Sequence, residues 1–93
     1  MKDYKTTLYY PDGRTCAVRP KNGKDFKAKE LQEFVKGYFE ILYLQNEMIM
    51  IINDEGLLKG LPANIEATRI AYENGKDYTI VGDVLVCPTQ LVK

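Results

Sequence analysis

The chain has 93 residues, 45% of them apolar or aromatic, and its 13 Lys and Arg balance 13 Asp and Glu. That is one small domain, residues 1–93, with material for a modest core; it excludes the disordered class and argues against a strongly basic nucleic-acid module or an acidic nucleic-acid mimic. His, Ser and Trp are absent, which removes the usual ligands and bases of zinc, haem and triad chemistry.

No apolar stretch of signal-peptide length follows Met1. The longest apolar run, 48–52, is far short of the ~20 residues a membrane helix needs. The expectation is a cytoplasmic protein with no membrane contact. The first elements are strands: 5–10 and 15–19 are rich in Thr, Tyr, Val and Leu, with Pro11-Asp12-Gly13-Arg14 between them. Pro pre-sets φ for a tight turn and Gly accepts the left-handed position after it, so residues 1–19 read as a hairpin. Cys16 and Cys87 fit no metal or redox spacing and lie in apolar runs. They read as free, buried, structural thiols, with a disulfide between the first and last strands as the lesser reading.

Residues 26–87 read as a helix–hairpin–helix–strand core. Ala28, Leu31, Phe34, Val35 and Tyr38 recur at helical spacing and predict a helix over about 26–36. Asp25 is its candidate N-cap and Gly37 its stop; Leu31, Phe34 and Val35 point inward and leave Glu30 and Glu33 in water. Strands follow at 38–44 and 47–53 around Gln45-Asn46. In the second, Met48, Met50 and Ile52 face one way and Ile49 and Ile51 the other, which predicts a central strand covered on both sides. Asn53-Asp54-Glu55-Gly56 closes the hairpin. Leu57-Leu58-Lys59-Gly60-Leu61-Pro62 reads as a crossover packed by Leu57, Leu58 and Leu61. Pro62 or Asn64 opens a second helix that ends at Glu73-Asn74-Gly75-Lys76. The last strand region, 78–87, is interrupted by Gly82-Asp83, as a bulge or as a tight turn. Thr89 onward reads as a tail. The order is ββαββαβ, or ββαββαββ with a turn at Gly82, and the class is α+β with a mainly antiparallel sheet of about five strands and two short helices.

Three segments carry a family likeness: residues 30–40, a helix running through Gly37-Tyr38 into a strand; Asn53-Asp54-Glu55-Gly56-Leu57-Leu58-Lys59-Gly60-Leu61-Pro62-Ala63-Asn64, continuing to Thr68; and Ile80-Val81-Gly82-Asp83-Val84-Leu85-Val86. In order and spacing the chain resembles a group of small bacterial, plasmid and phage proteins known only as a domain of unknown function. Lys36 stands where that group commonly has a second Gly. The resemblance implies a small cytosolic α+β protein of mobile elements and implies no activity.

The functional candidates are few. The 53–56 turn lacks calcium-loop spacing, so no metal site is expected, and no cofactor motif is present. Asn53, Asn64, Thr68 and Asp83 are polar residues in apolar surroundings. Such residues tie down loops or meet a ligand. With Gly60 and Gly82, the residues Asn64, Thr68 and Asp83 form the candidate ligand set for a small anion or nucleotide held by backbone N–H groups. As a mere cap, Asn64 would tolerate replacement by Asp. Tyr9, Tyr10 and Arg14 are the candidate interaction surface, although neighbouring strand residues face opposite sides; nucleic acid is disfavoured as a partner. Neither cysteine has a His to act as base. Glu40 and Asp54 are a carboxylate pair whose proximity a sequence does not reveal. Charge is uneven: residues 1–36 carry nine bases against five acids, and 37–93 carry four against eight. The leading expectation is a non-enzymatic accessory protein that binds another protein; the alternative is the small anionic ligand at Gly60 and Asn64.

Overall fold

The computed structural model describes residues 6–92. Its elements are β1 (Thr7–Tyr9), β2 (Thr15–Ala17), α1 (Ala28–Val35), β3 (Phe39–Tyr43), β4 (Met48–Asn53), α2 (Ile65–Glu73), β5 (Val84–Pro88) and a 3-10 turn at Thr89–Leu91. The strands form a five-stranded sheet in the order β2-β1-β5-β4-β3, and every neighbouring pair is antiparallel. The expected class and order, α+β and ββαββαβ, are those of the structure. Lys5, placed at the start of the first strand, lies outside the described residues.

The sheet is covered on both faces because its central strands are apolar on both sides, β4 from Met48 to Ile52 and β5 from Val84 to Cys87. Ile49, Ile51, Leu85 and Cys87 pack with Leu8, Leu31 and Val35 under α1. Met50, Val84 and Val86 pack with Leu42, Ala67, Ala71 and Ile80 under α2. The alternation along β4 is thus the one its sequence dictates, two opposite faces each meeting a helix. The centre of the sheet is β5, with β4 beside it.

The first hairpin turns as its residues require. Gly13 takes φ 95°, and its N–H donates to the Tyr10 carbonyl at 3.0 Å.

The start and stop of α1 differ from the sequence expectation, whereas α2 opens on Asn64 and ends at Glu73 as expected. Phe26 is buried, and its N–H donates to the Leu91 carbonyl at 2.7 Å. Asp25 therefore precedes a residue held in extended pairing with the C-terminal segment, and the N-cap falls on Lys27. Glu30 does the capping. Its carboxylate accepts the N–H groups of Lys27 (3.1 Å) and Lys21 (3.0 Å). Glu30 is consequently buried rather than wet. At the other end Lys36, not Gly37, adopts the left-handed conformation at φ 64°, the position where Gly is least strained. Gly37 supplies the closing N–H to the Gln32 carbonyl at 3.0 Å.

The last strand is shorter than expected. Residues 78–83 are a connection outside the sheet, carrying an isolated bridge between Val81 and Ala63 and packing Ile80 on the α2-side core. Gly82 is a bend at φ 80° rather than a turn between two strands. It is also a close approach, since a Cβ there would lie 2.8 Å from Leu61 Cδ1. The C-terminal stretch is not a free tail: it forms the 3-10 turn and packs Leu91 and Val92 on the α1-side core.

Candidate functional site

Asn64 is the hub of the segment expected to bind a ligand, and it is fully buried. Its Oδ1 accepts the Ala67 N–H at 3.1 Å, which caps α2. Its Nδ2 donates to the carbonyls of Gly82 (2.8 Å) and Tyr9 (3.1 Å). Its own N–H donates to the Ile80 carbonyl at 2.8 Å. One side chain thus joins the helix start, the Gly82 bend and β1. Thr68 works beside it: its Oγ1 donates to the Ile80 carbonyl at 3.2 Å and accepts the Ile80 N–H at 2.9 Å. Both side chains are tied to this chain's own backbone. The amide donates as well as accepts, so Asp at this position would keep the acceptor of the cap and lose both donors.

The other candidate residues are scattered. Gly60 lies in the loop at φ 70° with open space around it. Asp83 turns to the end of α1, where its carboxylate accepts from Lys36 Nζ at 2.7 Å. That hydrogen bond, and then the carboxylate's charge, holds the Lys36 ammonium above the usual lysine range. Tyr9 packs on the α2-side core and Tyr10 on the α1-side core. The pair therefore does not form one surface. Arg14 sits over the Tyr10 ring, 4.7 Å from its centroid, and pairs with Asp12 at 2.7 Å. Asn53 mirrors Asn64: it is buried, its Nδ2 donates to the Val35 carbonyl at 2.9 Å, and its Oδ1 accepts the Glu55 N–H at 2.8 Å. Among the described residues no group of three or more Cys, Asp and Glu is placed to hold a metal ion.

The concave feature of interest lies elsewhere, on the α2 face near the β3 edge. A groove of about 370 Å³ runs between the 54–58 turn and the 78–81 connection, floored by Ile52 and Ile80. The turn is held by local bonds, Gly56 N–H to the Asn53 carbonyl (3.3 Å) and Lys59 N–H to the Glu55 carbonyl (2.9 Å). Gly56 is required where Val81 crosses it, since a Cβ would lie 2.6 Å from Val81 Cγ2. This geometry puts Leu57 and Leu58 at the tip, 75% and 89% exposed, with Tyr78 half-exposed opposite them. The sequence expectation that Leu57 and Leu58 pack the crossover is corrected; Leu61 alone turns in, over Gly56 and Gly82. The groove wall carries Glu40, Asp54 and Glu55, and no Lys or Arg. Lys59 pairs with Glu55 at 3.9 Å. Glu40 and Asp54, the carboxylates named from sequence, thus line one groove.

A family model described as Domain of unknown function (DUF3846) matches residues 6–90. The chain belongs to this family. No curated protein and no solved structure matches it. In this DUF3846 chain the segment 53–64, one of the two that carry the family likeness most distinctively, builds both the Asn64 anchor and the exposed leucine tip. The signal that could have singled out Leu57 and Leu58 was their position: adjacent residues inside a tight turn cannot both reach a core on the same side.

Proposed function

We propose that this chain is a non-enzymatic accessory protein of mobile-element type, working in the cytoplasm by binding another protein, and that the partner docks on the groove between Leu57, Leu58 and Tyr78. The supporting observation is the leucine pair itself. Two adjacent leucines held out in water by a bonded turn, beside an apolar cleft, are a cost to solubility that a docked partner offsets. The acidic wall selects the partner's chemistry: an apolar anchor flanked by Lys or Arg. No helix of the described residues is long and apolar enough to cross a membrane. The alternative of a small anion or nucleotide at Gly60 and Asn64 has less behind it. Asn64 is enclosed, and the first turn of α2 carries Glu66, which repels an anion there.

The test is comparative. The wild-type chain and a Leu57→Ser/Leu58→Ser variant are each used to retain proteins from the native cell. Both leucines are exposed, so the variant's stability should stay within about 0.5 kcal/mol. At least one protein held by the wild type should be lost from the variant, and a Glu40→Lys/Asp54→Lys variant should lose the same one. Identical protein sets for all three chains would remove the groove as the docking site.

A further inference from the structure

We propose that two copies of this chain pair through the free edge of β3, so that one antiparallel sheet runs through both. The hydrogen-bond phase of the edge is fixed at its two ends. Asp54 N–H donates to the Tyr38 carbonyl and Leu44 N–H to the Met48 carbonyl, each at 2.9 Å. In an antiparallel ladder bonded pairs alternate with non-bonded ones. With Phe39 opposite Asn53, Ile41 opposite Ile51 and Tyr43 opposite Ile49, the N–H and C=O groups of these three β3 residues point away from β4. They have no partner among the described residues.

The two edges of the sheet are not alike. β2 is three residues long and is followed and preceded in sequence by Arg19 and Arg14, the short, charged character of a protected edge. β3 is five residues long. Its one charge is Glu40, and it is bracketed by Tyr38 and Tyr43, 70% and 66% exposed. An edge of that length with two exposed aromatics lacks the usual protection against pairing.

The strand is complementary to itself. A twofold axis at Ile41 sets Ile41 against Ile41 of the partner subunit and Phe39 against Tyr43 of the partner subunit. In that register the outward groups of Phe39, Ile41 and Tyr43 all find partners. Phe39 and Ile41 lie on the α1 face, and alternation places Tyr43 there too. The pairing therefore makes an aromatic cross-strand contact on each side of the axis. On the α2 face Glu40 meets Leu42 of the partner subunit, with Glu40 of the partner subunit on the diagonal, so like charges are not directly opposed. A net charge of zero imposes no long-range repulsion between copies. Because a twofold axis between antiparallel strands is perpendicular to the sheet, both grooves open on the same side, and the dimer is bivalent toward a partner.

Sedimentation of the full chain from dilute to concentrated solution tests this, with amide exchange read in parallel. A concentration-dependent monomer–dimer equilibrium is expected, with the amides of Phe39, Ile41 and Tyr43 protected only in the dimer. Tyr43→Pro removes an N–H that has no partner among the described residues, and should raise the dimer dissociation constant at least roughly tenfold. Tyr43→Lys, which leaves the backbone unchanged, should weaken it in the same direction and covers the case in which the proline variant misfolds. The Leu57→Ser/Leu58→Ser variant should dimerise like the wild type, which separates this edge from the groove. A wild-type chain that stays monomeric throughout, leaving the edge to a strand of another protein, overturns the proposal. So does a dimer that survives both Tyr43 variants.

Discussion

At the scale of single residues, buried asparagines organise this molecule. Asn53 donates to the Val35 carbonyl at the end of α1, and Asn64 caps α2 while donating to the Tyr9 and Gly82 carbonyls. Asn suits these places because one side chain both donates and accepts without charge. Asn64→Asp keeps the acceptor and loses the donors, setting a carboxylate against two carbonyls. A deficit of roughly 3–5 kcal/mol is expected at neutral pH, the cost of an uncompensated buried charge. Burial and the facing carbonyls favour the protonated acid, so its folded pKa rises above the unfolded value of about 3.9. The deficit should then shrink as pH falls through the raised folded value, and be smallest below the unfolded one. Urea unfolding of both chains at about pH 7 and about pH 4 measures this. Equal deficits at the two values would show that the carboxylate is not enclosed as described.

At the scale of elements, α1 illustrates how a helix is placed by both ends and one face. Leu31 is 1% exposed in the α1-side core, so Leu31→Ala should cost roughly 2–5 kcal/mol. Glu30 belongs to the same helix but acts through the backbone, accepting from Lys27 and Lys21. Glu30→Ala should cost about 1–2 kcal/mol, the loss of a cap. A solvated Glu on the outer face would cost under about 0.5 kcal/mol. Chemical denaturation of the two variants distinguishes these roles; a Glu30→Ala chain as stable as the wild type would put Glu30 back in water.

At the scale of the whole molecule, strand order decides the chemistry of the cysteines. β1 lies between β2 and β5, so Cys16 and Cys87 sit two strands apart, about 9–10 Å across the sheet. That exceeds the Cα separation of about 7 Å that a disulfide spans, and both thiols are free. They differ sharply in environment. Cys87 is enclosed in the core, and burial pushes its thiol up to about 12. Cys16 is exposed on the edge strand, contrary to the expectation of two buried thiols, because β2 reaches beyond the cover of α1. An alkylating reagent should modify Cys16 in the native protein and Cys87 only on unfolding. A reducing agent should leave the thermal midpoint unchanged, whereas losing a disulfide that closes such a long loop would remove roughly 4 kcal/mol. Equal labelling rates in the folded state, or a midpoint that falls on reduction, would contradict this arrangement.

The hairpins, the two helices and the two-faced character of β4 were legible along the chain, and the order was legible up to the choice of a bulge or a turn at Gly82. These follow from local turn chemistry and from side-chain periodicity, which act within a few residues along the chain. The sequence also marked Asn53, Asn64, Thr68 and Asp83 as polar groups out of place among apolar neighbours, and of these Asp83 turns instead to Lys36 at the end of α1. What Asn64 donates to could not be read, because Tyr9 and Gly82 are distant in sequence. Nor could the order of strands, which places β5 at the centre and leaves β2 and β3 as edges. Glu30 illustrates the same limit: its spacing puts it on the outer face of a helix, while the incoming Lys21 segment buries it. Leu57 and Leu58 are the converse, apolar residues that the tight turn at Gly56 holds away from any core. The α1 and α2 positions, the groove and the free β3 edge were decided by contacts between segments far apart in the chain, where burial and hydrogen bonding are set by neighbours that periodicity does not encode.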